Sequence, residues 1–345
     1  MKKMQINDRT RKKVDEALSS GKSFMLYRIP SYSPKFVDAA NKKADCYITP
    51  WREKFENSIL VNESDVIAEK QAYPIPESTS RQQYIRRLEG LIETLNIRGK
   101  AKTVISRIIS GKNDCNWIDV AEDLWNAFPD SFGYLFYTPK TGAWLGATPE
   151  KMLIAYPPNH FSTQALAGTL PADADWNVKN YEEQQIVVDY IEQILNDTKT
   201  PFKAIGPKEV VYGKIKHLST SFTGLLNQDE PFEHAKQLLN RLAPTPALAG
   251  YPKGDAFDDI DEIEDHERYC YGGYITVLNK GTGNINSYVT IRCVQFDPHT
   301  GKWALYAGGG ITPKSDPSVE WEETEAKASK LIEIIQCNTD LKNSL

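Results

Sequence analysis

Apolar residues recur at helical spacing in four stretches of the chain. Ser80 to Arg98 carries Tyr84, Leu88, Leu91, Ile92 and Leu95 along one face of a 3.6-residue period. Asn180 to Leu195 carries Ile186, Val187, Ile191 and Leu195 behind what reads as an acidic first turn, and Pro231 to Leu242 is a shorter segment of the same kind. Asp316 to Gln336 carries Trp321, Ala326, Leu331 and Ile335. It opens with Asp316-Pro317, a capping residue followed by proline at the first helical position. Between these segments the pattern changes to strands punctuated by turns. Ser131 to Tyr137 and Ala143 to Leu145 flank Thr138-Pro139-Lys140-Thr141-Gly142. Tyr271 to Leu278 and Ile285 to Phe296 flank Asn279-Lys280-Gly281-Thr282-Gly283, and Lys302 to Ala307 is a further strand. Hairpins interrupted by long helices predict an α+β fold with mostly antiparallel sheet.

Composition narrows the function class. A chain of 345 residues with 40% hydrophobic and 25% charged residues is globular and long enough to bury a large core. The net charge of −5 argues against nucleic acid or an anionic membrane surface as main partner. No apolar run reaches the ~18 residues of a membrane span. The basic start Met1-Lys2-Lys3 has no apolar stretch after it, so no signal peptide is read. The five cysteines, Cys46, Cys115, Cys270, Cys293 and Cys337, form no C-x-x-C pair. They are expected to be reduced, buried thiols in a cytoplasmic protein. Neither a G-x-G-x-x-G after a strand nor a Walker loop is present, which removes support for nucleotide cofactors.

Two carboxylate-bearing segments carry the chemistry. Tyr306-Ala307-Gly308-Gly309-Gly310-Ile311 reads as a strand running into three glycines, where backbone N–H groups can approach an anion. On the helix that follows, Glu320, Glu323 and Lys327 share one face. Alone, that helix would be a solvated charged face with a Glu323–Lys327 ion pair. The second segment is Asn180-Tyr181-Glu182-Glu183-Gln184-Gln185, whose acids alone would complement a helix dipole. Glutamates from two helices can instead hold Mg²⁺, a hard ion that takes oxygen ligands and keeps some waters.

These segments join others in a recognisable order. They are Lys102-Thr103-Val104-Ile105-Ser106-Arg107, Gly146-Ala147-Thr148-Pro149-Glu150, Ala165-Leu166-Ala167-Gly168-Thr169, Glu183-Gln184-Gln185-Ile186-Val187, His217-Leu218-Ser219-Thr220, Pro244-Thr245-Pro246-Ala247-Leu248, Tyr271-Gly272-Gly273, Thr290-Ile291-Arg292-Cys293, and the block from Ala307 to Lys327. Each is weak alone; nine in sequence are specific. The chain from about residue 100 to 330 resembles the chorismate-utilising family of isochorismate, salicylate, anthranilate and aminodeoxychorismate synthases, and residues 1–99 resemble it only loosely.

The resemblance implies one large domain of antiparallel sheets flanked by helices around a central cleft, as in the anthranilate synthase component I fold. It also implies Mg²⁺ held by Glu183, Glu323 and Glu320, and chorismate as substrate. Lys102 stands at the family's base position and must be neutral when it acts, with Lys100 the nearby alternative. Glu150 would be the general acid. Arg292, read as part of an alternating strand Tyr288 to Cys293, would clamp a carboxylate through two parallel bonds. Gly168, Thr169, His217, Ala247, Leu248, Tyr271, Gly309 and Lys327 would complete the substrate contacts.

Within the family, aminodeoxychorismate synthases resemble this chain least at Ala167, where they carry a lysine nucleophile. Alanine leaves room for water, so the resemblance points to an isochorismate synthase, acting as a monomer without a glutaminase partner. The product would serve menaquinone or siderophore synthesis. A salicylate synthase that also eliminates pyruvate, or a non-catalytic chorismate-binding homologue, are the alternatives. The chain departs from the family pattern at Ala243, Leu170 and Gln184, which puts fine substrate contacts in question.

Overall fold

The computed structural model of the protein describes residues 3–40, 44–63, 73–99 and 101–343. Lys100 therefore lies outside the described residues. Among those described, the helices are α1 (Asp8–Ser20), α2 (Arg81–Arg98), α3 (Trp117–Ala127), α4 (Val178–Asp197), α5 (Pro231–Leu242), α6 (Lys253–Ile263) and α7 (Pro317–Asn343). The strands are β1 (Phe24–Arg28), β2 (Lys35–Asp38), β3 (Ala44–Thr49), β4 (Ile59–Leu60), β5 (Lys102–Lys112), β6 (Phe132–Thr138), β7 (Gly142–Thr148) and β8 (Lys151–Tyr156). They continue with β9 (His160–Pro171), β10 (Phe202–Tyr212), β11 (Ile215–Leu225), β12 (Gly250–Tyr251), β13 (Tyr274–Asn279), β14 (Ile285–Val289), β15 (Cys293–Phe296) and β16 (Lys302–Ile311).

The strands form two eight-stranded sheets, and every pairing is antiparallel. The first has the order β12-β5-β16-β15-β7-β6-β1-β2, the second β10-β11-β9-β8-β14-β13-β3-β4. Side chains from both meet in one apolar layer, with Met25, Phe132, Trp144 and Tyr306 from the first sheet against Ile48, Ile275 and Tyr288 from the second. The outer face of the first sheet is covered by α1, α3 and α7, and that of the second by α4 and α5. The result is the expected α+β architecture, a helix–sheet–sheet–helix stack. The loosely matched N-terminal part supplies β1 and β2 to one sheet and β3 and β4 to the other.

Local sequence explains the helix starts. Ser80 and Gln83 form a reciprocal capping box on α2, and Asn177 and Asn180 do so on α4. Asp316 Oδ1 accepts from the backbone N–H of Ser318 and Val319 at 2.9 and 3.0 Å, and Pro317 follows it as the first residue of α7. Three expectations change. Helix α4 begins at Val178, so Glu182 and Glu183 lie beyond its first turn. The buried side of α7 runs through Glu320, Thr324, Ala328 and Leu331, whereas Ala326 is exposed. Cys337 is exposed too; the other four cysteines are buried, and none of the five forms a disulfide. No helix among the described residues is long and apolar enough to cross a membrane.

A further change bears on the site. Ile285 to Phe296 is not one strand. The chain leaves the second sheet after Val289 and joins the first at Cys293. Arg292 sits in the break with φ 52°, a left-handed conformation unusual for a non-glycine residue. The link from β7 to β8 makes the same crossing through Pro149 and Glu150. The two crossings lie together: Val289 N–H donates to the Glu150 carbonyl at 3.0 Å, and Ala147 N–H to the Arg292 carbonyl at 3.3 Å.

Candidate active site

Where the chain changes sheets, a cavity opens between them. Its lining includes Glu150, Ala167, Gly168, Thr169, Glu183, His217, Ala247, Leu248, Tyr271, Arg292, Gly310 and Lys327. Residues spread over almost 180 positions of sequence thus converge on one space. Lys102 stands directly behind Gly310, 1% exposed, with its Nζ 2.9 Å from Glu183 Oε1. Gly309, Glu320 and Glu323 form an adjoining group rather than the cavity wall.

The glycine run belongs to strand β16, paired with β5 from Ser106 to Val104, and is not a loop. Its value is the space left by three missing side chains. A Cβ on Gly308 would strike the Tyr271 hydroxyl, one on Gly309 would press on Glu320 Oε2, and one on Gly310 would collide with Glu183 and Lys102. Gly168 is needed for a different reason. Register between β9 and β11 shifts there, from Thr169 opposite His217 to Ala167 opposite Leu218, and Gly168 is the extra residue with φ 70°. This bulge turns its carbonyl towards His217 Nδ1, 3.1 Å away. Thr169 Oγ1 is 3.2 Å from the same nitrogen.

Electrostatics divide the carboxylates. Burial raises Glu150 to about 7, although the charges of Lys102, Arg292 and Lys327 pull it down. Burial would also raise Glu183, but Lys102 and Lys179 outweigh it and hold that carboxyl below its ordinary value. Glu320 is pushed up by burial and by its neighbour Glu323, against the pull of Lys179. His217 is held well below 6.5 by burial and by the cations Arg292 and Lys327.

Each glutamate of the predicted metal set has its own lysine. Lys102 pairs with Glu183, Lys179 with Glu320, and Lys327 with Glu323 at 2.5 Å. Lys327 also donates to the Gly308 carbonyl at 2.8 Å. Among the described residues no three carboxylate, histidine or cysteine side chains converge closely enough to make a ready metal cage. The residues nevertheless fit a cation. Glu320 Oε2 is buried and makes no hydrogen bond, with the Ser315 hydroxyl only a minor stabilising influence on that carboxylate.

Sequence reasoning missed several supporting residues. Arg268 is fully buried and donates to Glu264, to the Leu248 carbonyl at 2.9 Å and to the Val104 carbonyl at 2.7 Å. It ties the loop carrying Ala247 and Leu248 to the strand carrying Lys102. Both partners lie past the end of α6 in irregular chain, so no periodic signal in the sequence marked them. Tyr212 covers the guanidinium of Arg292 at 5.3 Å, and Lys179 falls just before the segment read as a helix from Asn180, whereas α4 begins at Val178. Of the departures, Gln184 donates to the Ala165 carbonyl at 3.1 Å and to Thr220 at 3.3 Å, so it fastens α4 to β9 and β11.

A fold of two antiparallel sheets with this cavity at their crossing defines a class, and sequence comparison agrees with it. A family model described as chorismate binding enzyme matches residues 35–336. The chain belongs to that family. Over 284 residues it is 30% identical to isochorismate synthase EntC of Escherichia coli K12, covering 78% of this chain and 69% of the relative. A Bacillus anthracis structure described as a 2,3-dihydroxybenzoate-specific isochorismate synthase, DhbC, superposes with a TM-score of 0.76 at 19% identity, over 93% of this chain and 99% of that one. Anthranilate synthase component I from Streptococcus pneumoniae superposes with a TM-score of 0.61 at 20% identity, over 78% of this chain and 61% of that one. The fold is therefore common to more than one activity.

Proposed function

We propose that the protein is an isochorismate synthase that moves the hydroxyl of chorismate from C4 to C2. The observation that carries this reading is the pairing of opposites in one enclosed site. Glu150 is a carboxyl raised to about 7, and within its electrostatic reach lies the buried amine of Lys102. A general acid and a general base are what an exchange of water for hydroxide requires. Lys102, which is ion-paired with Glu183, must first give up a proton, and its amine then takes one from water as the oxygen attacks C2. Glu150 gives its proton to the C4 hydroxyl, which leaves as water. One water enters and one leaves, so the reaction is an isomerisation.

The remaining residues bind and orient. Arg292 and Lys327 are cations on the cavity wall suited to the two carboxylates of chorismate. Thr169 and Tyr271 beside the Gly168 bulge offer polar atoms, His217 positions Arg292 through Nε2, and Ala247 and Leu248 give an apolar surface. Glu183, Glu323 and Glu320 would hold Mg²⁺, which when bound would neutralise a substrate carboxylate. Ala167 carries no amine to act as a nucleophile, which supports attack by water, and on this reading no glutaminase partner is needed.

The test is incubation of the purified protein with chorismate and Mg²⁺, with products separated and identified, once alone and once with ammonium. Isochorismate in both is the expected result. Salicylate with pyruvate would make the protein a salicylate synthase. Anthranilate or an aminodeoxychorismate would refute water as the nucleophile, and recovery of unchanged chorismate would leave only a binding role.

A further inference from the structure

Three lysines and three glutamates pair one to one beside the cavity, but the lysines are not equivalent. Under the reading above, Lys102 is the base and Lys327 a substrate contact, and Lys327 has a second bond to the Gly308 carbonyl. Lys179 has neither kind of work. It is absent from the cavity lining, and its hydrogen bond goes to Glu320 Oε1.

Its position is nevertheless well defined. Lys179 lies in the first turn of α4, fixed by the Asn177–Asn180 capping box. Glu183 follows one turn later on the same helix, yet Lys179 reaches across to α7 to meet Glu320. The Lys179 side chain is 19% exposed and that of Glu320 1%, so the lysine stands between the buried carboxylate and solvent. The second oxygen, Glu320 Oε2, stays buried and unbonded beside Gly309. Glu183 and Glu323 also attract Lys179, so its charge is felt by all three carboxylates.

We propose that Lys179 is an internal counter-ion that competes with a divalent cation for Glu320 and thereby sets the metal affinity of the site. This rests on the reading of Glu183, Glu320 and Glu323 as the Mg²⁺ ligands. Without metal, the ammonium offsets part of the repulsion between Glu320 and Glu323. When a cation enters, Lys179 must release Glu320 or remain as a like charge close by, and either course opposes binding. The buried carboxylate cluster is thus kept tolerable in the metal-free protein, at the expense of tight metal binding.

The consequence runs against the usual expectation for an active-site lysine, because removing it should strengthen binding. Mg²⁺ titrated calorimetrically into the full-length protein at pH 8.5, without substrate, tests this. Loss of one positive charge next to a divalent ion should tighten Kd by about ten-fold or more for Lys179→Met. Lys179→Gln should behave in the same way and serves if the methionine variant fails to fold. Lys179→Arg should keep the wild-type affinity. Equal or weaker Mg²⁺ binding by the folded Met or Gln variant, with measurable binding by the wild type, would overturn the role of Lys179. Absence of Mg²⁺ binding in every protein, wild type included, would overturn both this role and the metal reading on which it rests.

Discussion

The guanidinium of Arg292 lies 3.1 Å from Nε2 of His217. Arg292 can only donate, so Nε2 must accept and the ring must be neutral, with its proton on Nδ1 facing the Gly168 carbonyl. Burial together with Arg292 and Lys327 holds the ring well below its ordinary 6.5. The unfolded chain takes up this proton near pH 6.5 and the folded one does not. His217 thus contributes stability above about pH 6.5 that is lost as the pH falls below it. In NMR titration the His217 ring should still be neutral as the pH falls through and below its ordinary 6.5. A midpoint near 6.5 would mean that the contact with Arg292 does not persist in solution.

Glu150 has the opposite linkage. Its folded-state value of about 7 exceeds the ordinary 4.5, so its contribution is fully present below about pH 4.5 and disappears as the pH rises through 7. Glu150→Gln should therefore be more heat-stable than the wild type at pH 8 and show less advantage at pH 5. The same variant should lose roughly 10²–10⁴-fold in kcat, since no acid remains for the departing hydroxyl. Wild-type Tm values equal to those of the variant at both pH values would show that the carboxyl is not raised.

Lys102→Ala should lower kcat by roughly 10²–10⁴-fold. The loss should appear with chorismate and with isochorismate as substrate, because acid and base exchange roles in the reverse direction. The variant also leaves the Glu183 carboxylate buried without its partner, a change that costs about 3–5 kcal/mol in comparable pairs. Denaturant unfolding should register it. Near-normal turnover in both directions would remove Lys102 from the role of base and bring Lys100 forward.

Chelation with EDTA should abolish turnover, and added Mg²⁺ should restore it. Glu183→Gln and Glu323→Gln should each raise the Mg²⁺ concentration needed for half-maximal rate, because an anionic ligand is lost. Undiminished turnover in excess EDTA would sink the metal assignment.

The sequence alone determined the elements whose signals are local. The periods of α2, α4, α5 and α7, the capping residue of α7 and the hairpin turns are visible within windows of a dozen residues. Helix α3 carries local signals of the same kind, with Asn116 as cap and Trp117, Val120, Ala121, Leu124 and Trp125 buried. The ordered motifs also marked out most of the cavity lining. Tertiary structure decided what depends on partners distant in sequence. The run from Ile285 to Phe296 has unbroken strand character, and only competition between two sheets for its backbone places the break at Arg292. The glycines of β16 read as an anion loop until Tyr271, Glu320, Glu183 and Lys102 are seen to fill the space beside them. The pairings of Lys102 with Glu183 and Lys179 with Glu320 join groups 81 and 141 positions apart. Period and propensity report which way a side chain faces along its own element. They carry no information on which charge from another element will meet it, and that meeting fixes the pKa values and the chemistry of the site.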